Sequence, residues 1–176
     1  MFARLVIPAV LLAACGARTS LPPAGAVRVA DLPVMDFDAT QALVRATGRP
    51  ALVSLWATWC GPCVEEMATL SEVQRAFGDR LLVLGLATDD ARRAAPELQA
   101  VFDARRPAYP QALLTPGGED RFLVQAGGAW DGLLPKTVTF DARGRPIAVL
   151  DGALTLPAAT ALAERLVASA DGGRRP

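Results

Sequence analysis

Residues 51–77 read ALVSLWATWCGPCVEEMATLSEVQRAF, and the order of residue types in this stretch decides the architecture around it. Residues 51–55 are a short apolar run with a β-branched valine. They follow the turn-forming Gly48-Arg49-Pro50, so they predict a central buried strand. Trp56-Ala57-Thr58-Trp59 leads from it to Cys60-Gly61-Pro62-Cys63. Beyond Cys63 the apolar residues Val64, Met67, Leu70, Val73 and Phe77 recur at spacings of three, three, three and four, the period of an amphipathic helix. A Cys-x-x-Cys between strand and helix is the expected setting of a redox pair. Unpaired N–H groups and the helix dipole favour a thiolate at Cys60 and lower its pKa. Cys60 is then the nucleophile toward a partner's disulfide, and Cys63, closer to the helix body, resolves the mixed disulfide. A purely structural disulfide or half of a zinc site are the other readings. Zinc is the weaker, because no third and fourth ligands of the usual type and spacing exist.

Residues 56–63, WATWCGPC, resemble the active-site signature of the thioredoxin superfamily, nearest to its exported, membrane-anchored TlpA- or ResA-like thiol-disulfide oxidoreductases. The resemblance extends over most of residues 27–168. It implies an α/β thioredoxin-like fold: a central mixed sheet flanked by helices, with a helix-strand insertion before a cis-proline. Residues 80–88 and 138–141 fit its strands, with Asp89-Asp90 at the carboxyl end of the former. Residues 142–145 fit a hairpin turn, residues 146–150 its return strand, and residues 156–168 a closing helix. The insertion fits a helix at 91–104, a strand at 109–114 and a short helix at 119–125. On the N-terminal side, residues 27–29 are expected as an edge strand and residues 37–46 as a helix capped by Asp36.

Pro135, after Leu134, matches the family's cis-proline across the substrate cleft. A cis X-Pro bond makes a tight turn, and the missing N–H leaves neighbouring backbone groups free to pair with an extended substrate. Gly61 and Pro62 complete the motif. Trp59 is expected exposed against the partner peptide, and Trp56 in the core or on the cleft floor. Trp130 stands between partner contact and packing. Where thioredoxin keeps a buried Asp six residues before the first cysteine, this chain has Ser54, a poor proton acceptor; where thioredoxin has a kinking proline, it has Ala68. Glu66 matches a glutamate common in the TlpA-like helix, and is open between tuning the thiols, binding partners and a solvated face.

Further out, residues 1–14 (MFARLVIPAVLLAA) carry one charge, Arg4, then a ten-residue apolar run, too short to span a bilayer as a helix and typical of a signal peptide. The sequence Leu12-Ala13-Ala14-Cys15 resembles a lipobox, which implies cleavage before Cys15 and lipid on that cysteine. Gly16 rather than Asp follows, which favours the outer membrane if the cell has two. Residues 15–26 then read as the lipidated end and tether, residues 27–170 as one domain, and residues 171–176 as a flexible tail.

The whole-chain counts exclude a good deal. Among 176 residues there is no histidine, hence no Ser-His-Asp triad and no imidazole ligand or acid-base catalyst. Three cysteines cannot build a four-cysteine metal site, and 18 basic against 18 acidic residues give no nucleic-acid footprint. No metal or cofactor is expected, and a monomer is. With Cys15 assigned to lipid, the two remaining cysteines can pair with each other in an oxidising compartment. Gly61-Pro62 is the dipeptide of reducing thioredoxins, which tilts the chain toward reducing disulfides of exported proteins, with a membrane thiol as electron donor. In family terms the substrates are oxidised apocytochrome c, copper-site cysteines of respiratory oxidases, or misoxidised secreted proteins. The rival reading is a Cu(I) metallochaperone using both thiolates. The related copper-handling proteins use a wider cysteine spacing and a histidine, and neither is present.

Overall fold

The computed structural model describes residues 27–172. A six-stranded sheet forms its centre, in the order β1-β4-β3-β2-β5-β6. Strands β1 (Val34–Met35), β4 (Gln111–Leu114), β3 (Leu82–Ala87) and β2 (Ala51–Trp56) run parallel. The hairpin of β5 (Lys136–Phe140) and β6 (Pro146–Asp151) is joined antiparallel to β2. β2 and β3 are buried along their whole length, as expected of parallel strands covered on both faces.

Alternation along β2 sorts the core into layers. Ala51, Val53 and Leu55 face helices α1 (Phe37–Thr47) and α4 (Glu119–Gln125), where they pack with Phe37, Val44, Phe122, Val138 and Phe140. Leu52 points the other way, into a cluster made by Leu70, Val73 and Phe77 of α2 (Gly61–Phe77) and Leu162, Leu166 and Val167 of α5 (Leu156–Gly172). Trp56 at the end of β2 joins a third cluster with Cys60, Cys63, Met67, and Leu98 and Phe102 of α3 (Ala91–Arg105). Its indole stands edge-on to Phe102 at 5.7 Å.

The inserted strand lies where the sequence places it, β4 slotting between β1 and β3, and α4 spans the expected residues. Three expectations need correction. Residues 27–29 are not an edge strand: Val29–Asp31 is a 3-10 turn, and the edge is the two-residue β1. Val64 is only half-buried, and the inward face of α2 is Cys63, Glu66, Met67, Leu70, Ser71, Val73 and Phe77. α5 runs through Asp171 and Gly172, into the stretch read as tail. The residues read above as signal peptide, lipidated Cys15 and tether lie outside the described residues, as do residues 173–176. Among the described residues no helix is long and apolar enough to cross a membrane.

Candidate active site

Cys60 is the N-cap of α2, in extended conformation at the end of the loop leaving β2, with Pro62 in the first turn. This is the geometry that ends a strand and opens a helix within four residues. Cys60 and Cys63 form a disulfide, their Cα atoms 5.3 Å apart. The Cys63 backbone N–H donates to the Cys60 sulfur at 3.3 Å. One unpaired amide of the helix start is thus aimed at the sulfur on which a thiolate is wanted. Cys63 is the more buried of the two, at 2% exposure against 5% for Cys60. Gly61 and Pro62 form the exposed lip of the turn.

Trp59 is 68% exposed beside Cys60, and Trp56 is buried, each as the sequence indicates. The Leu134–Pro135 peptide is cis, and Leu134 packs against the cluster that holds both cysteines. Pro135 is buried at the head of β5, its carbonyl accepting from Gly152 N–H at 3.0 Å. Trp130 is half-buried on the core under α1 and α4, which is the packing side of the alternative left open for it.

Glu66 is not on a solvated face. It is buried one turn beyond Cys63 on the inward face of α2, while its neighbour Glu65 is exposed. One carboxylate oxygen accepts from Leu154 N–H at 2.6 Å and the other from the Ser54 hydroxyl at 3.3 Å. Desolvation pushes its pKa above the ordinary 4.5, against the opposing pull of the Leu154 and Ser54 hydrogen bonds. Ser54 therefore serves as a partner to an acid that α2 supplies from the opposite side.

Three features carry no motif. Asp89, at the end of β3, accepts from Thr58 N–H at 2.9 Å and from the Thr58 hydroxyl at 2.7 Å, pinning the loop that carries Cys60. Leu133, 67% exposed, stands beside Leu134 on the approach to Pro135. Lys136, next after the cis-proline, is buried with its ammonium between Asp131 at 2.8 Å and Asp151 at 2.6 Å. Burial acts to lower the Lys136 pKa, but the two carboxylates outweigh it and the net shift is upward. Lys136 in turn, with Leu133 N–H, holds the Asp131 carboxyl below the usual range. A signal for Lys136 was present in the composition: it is the chain's single lysine, against 17 arginines. Among the described residues no group of three or more Cys, Asp or Glu could hold a metal ion.

No family model matches the chain. It is 31% identical over 65 residues to the thioredoxin-like protein YneN of Bacillus subtilis, a match that covers 37% of this chain and only 38% of YneN. It is 29% identical over 108 residues to a thioredoxin of Rhodospirillum rubrum, covering 61% of this chain and 91% of that one. In three dimensions it is similar to a secreted thiol-disulfide isomerase from Corynebacterium glutamicum, with a TM-score of 0.60 at 24% identity, over 72% of this chain and 75% of that one.

Proposed function

We propose that this chain, a member of the thioredoxin-like superfamily, is a thiol-disulfide oxidoreductase that reduces disulfides of exported proteins from a lipid anchor at Cys15. The observation that carries the activity is the Cys60–Cys63 disulfide at the start of α2, with the Cys63 amide on the Cys60 sulfur and Leu134 packed on the same cluster.

In the reduced protein the Cys60 thiolate attacks one sulfur of the substrate disulfide. The Cys60–substrate bond forms, the substrate bond breaks, and the departing sulfur takes the electron pair. The Cys63 thiol loses its proton and attacks Cys60. The second substrate sulfur leaves as a thiolate, and the Cys60–Cys63 disulfide seen here is regenerated. Two electrons have passed to the substrate, and a thiol donor in the membrane restores the dithiol. Glu66, one turn from Cys63 and of raised pKa, is the base placed to receive the Cys63 proton. The backbone at Pro135 and exposed Trp59 line the approach of the substrate strand.

The direction rests on Gly61-Pro62 and on the absence of a histidine beside Cys60. The extracytoplasmic setting is supported by the apolar leader ending at Cys15 and by the likeness to a secreted isomerase. The test is reduction of insulin disulfides together with the dithiol's potential. Activity lost in Cys60→Ser, with a potential of roughly −200 mV or below, is the expected result. A potential near about −120 mV would overturn the reductant reading. Tight Cu(I) binding without exchange activity would replace it by a metallochaperone. A Cys63→Ser variant should trap the physiological partner as a mixed disulfide, and metabolic labelling with palmitate tests Cys15.

A further inference from the structure

The segment 127–135 between α4 and β5 belongs to no helix or strand, yet it packs Leu134 against the cluster that holds both cysteines and carries the cis Leu134–Pro135 bond. A loop with that duty has to be held from outside itself, since its own backbone supplies little regular pairing. Gly132, at φ 81°, turns the chain between Asp131 and Leu133, and the Leu133 N–H caps the Asp131 carboxylate at 3.0 Å. The same Asp131 carboxylate oxygen meets the Lys136 ammonium at 2.8 Å. Lys136 is placed by β5, where it stands directly across from Asp151 of β6, the two joined at 2.6 Å. The ammonium thus ties the loop to a rigid hairpin. The Lys136 side chain is 3% exposed, while Asp131 and Asp151 are 50% and 76% exposed. A contact of this kind is a costly way to gain stability alone, because an apolar residue in place of a buried charge commonly serves as well. What an apolar residue cannot do is hold a carboxylate, and with it Leu133, at a fixed distance from β5.

We propose that Lys136 is a positioning residue which, by bridging Asp131 to Asp151, fixes the segment 131–135 in the form that receives a substrate peptide. The inference rests on the disulfide-exchange function proposed above. It separates two kinds of substrate. An extended polypeptide must lie along Leu133–Pro135 to present its disulfide, and needs the loop in place. A small aromatic disulfide such as 5,5′-dithiobis(2-nitrobenzoic acid) reaches Cys60 without it.

The decisive variant is Asp131→Asn, which loosens the loop side of the bridge and leaves Lys136 its partner on the hairpin. Rates are measured on insulin and on the small disulfide, alongside the dithiol's potential and thermal unfolding. The expected result is a KM for insulin raised about threefold to tenfold, the scale of one modest polar contact, with kcat, the small-disulfide rate and the potential unchanged. Lys136→Met, which releases both carboxylates, should act in the same direction and more strongly. If Asp131→Asn fails to fold, Asp131→Glu and Lys136→Met carry the same comparison. Equal loss on both substrates, or an insulin KM that does not move in any folded variant, overturns the positioning role. A wild type inert toward both disulfides overturns the exchange function itself, and the role with it.

Discussion

At the scale of single residues, the site depends on side chains whose roles come from partners far away in sequence. Asp89 is the clearest. It is almost fully buried, and both of its carboxylate oxygens are spent on Thr58. Removing it orphans a backbone N–H and a hydroxyl in the loop that presents Cys60. Asp89→Ala should cost about 1–3 kcal/mol of stability, read as a lower denaturant midpoint. It should also slow exchange with large and small disulfides alike, because the nucleophile's own loop is loosened. That pattern differs from the substrate-selective one expected of Asp131→Asn. Glu66 was half legible in the sequence. Its spacing of three from Cys63 and four from Leu70 puts it on the inward stripe of α2, but a glutamate there reads equally as a solvated charge until Leu154 N–H and Ser54 are seen to meet it. Lys136 was legible only as the chain's single lysine beside a proline, and Asp131 carried no signal of its own. What joins them to Asp151 is a strand register across β5 and β6, which no local pattern contains.

At the scale of elements, boundaries set by local chemistry are legible in the sequence, and those set by a distant side chain are not. β2 and β3 announce themselves as continuous apolar runs, and α1 by its cap: the Asp36 carboxylate accepts from Ala39 N–H at 2.8 Å. The alternation of Val27 and Val29 mimics a strand, but the backbone of that segment is paired within the 3-10 turn and with one side chain. Gln99 of α3 donates to the Val27 carbonyl at 3.0 Å and accepts from Val29 N–H at 3.2 Å. The true edge strand, two residues between Pro33 and Asp36, is too short to show any period. Because α1 packs on the face of the sheet opposite α2, its cap bears on stability and not on the cysteines. Asp36→Ala should therefore lower the unfolding free energy by about 1 kcal/mol, measured by urea denaturation. Disulfide exchange by the folded variant should be unaltered.

At the scale of the whole molecule, the absence of histidine turns from an exclusion into an instrument. In the oxidised protein the disulfide removes Cys60 and Cys63 from titration, and there is no imidazole. Asp90 and Asp131 have pKa values moved downward from the ordinary 3.8 by side-chain hydrogen bonds from Arg92 and Lys136, and at Asp141 burial acts to raise the pKa but is outweighed by hydrogen bonds from the Arg145 backbone and side chain. Their contribution is present at neutral pH and is lost only as pH falls below 3.8 through their folded values. Glu66 moves the other way. Between 4.5 and its raised folded value, the unfolded chain has lost the Glu66 proton and the native protein still holds it. The native state then binds more protons, and stability falls as pH rises. Below 4.5 both states are protonated, and the contribution of the protonated buried acid is fully present. Glu66 is thus a described side chain whose titration tilts stability above pH 4.5. Urea unfolding of the oxidised protein, measured from pH 4.5 upward, should show a decline no steeper than about 1.4 kcal/mol per pH unit, the limit for one proton. Glu66→Gln keeps an acceptor for Leu154 N–H and removes the charge, so its profile over the same range should be flat. A decline that survives in Glu66→Gln would assign the titration to another group and remove the raised pKa as support for Glu66 as the proposed base.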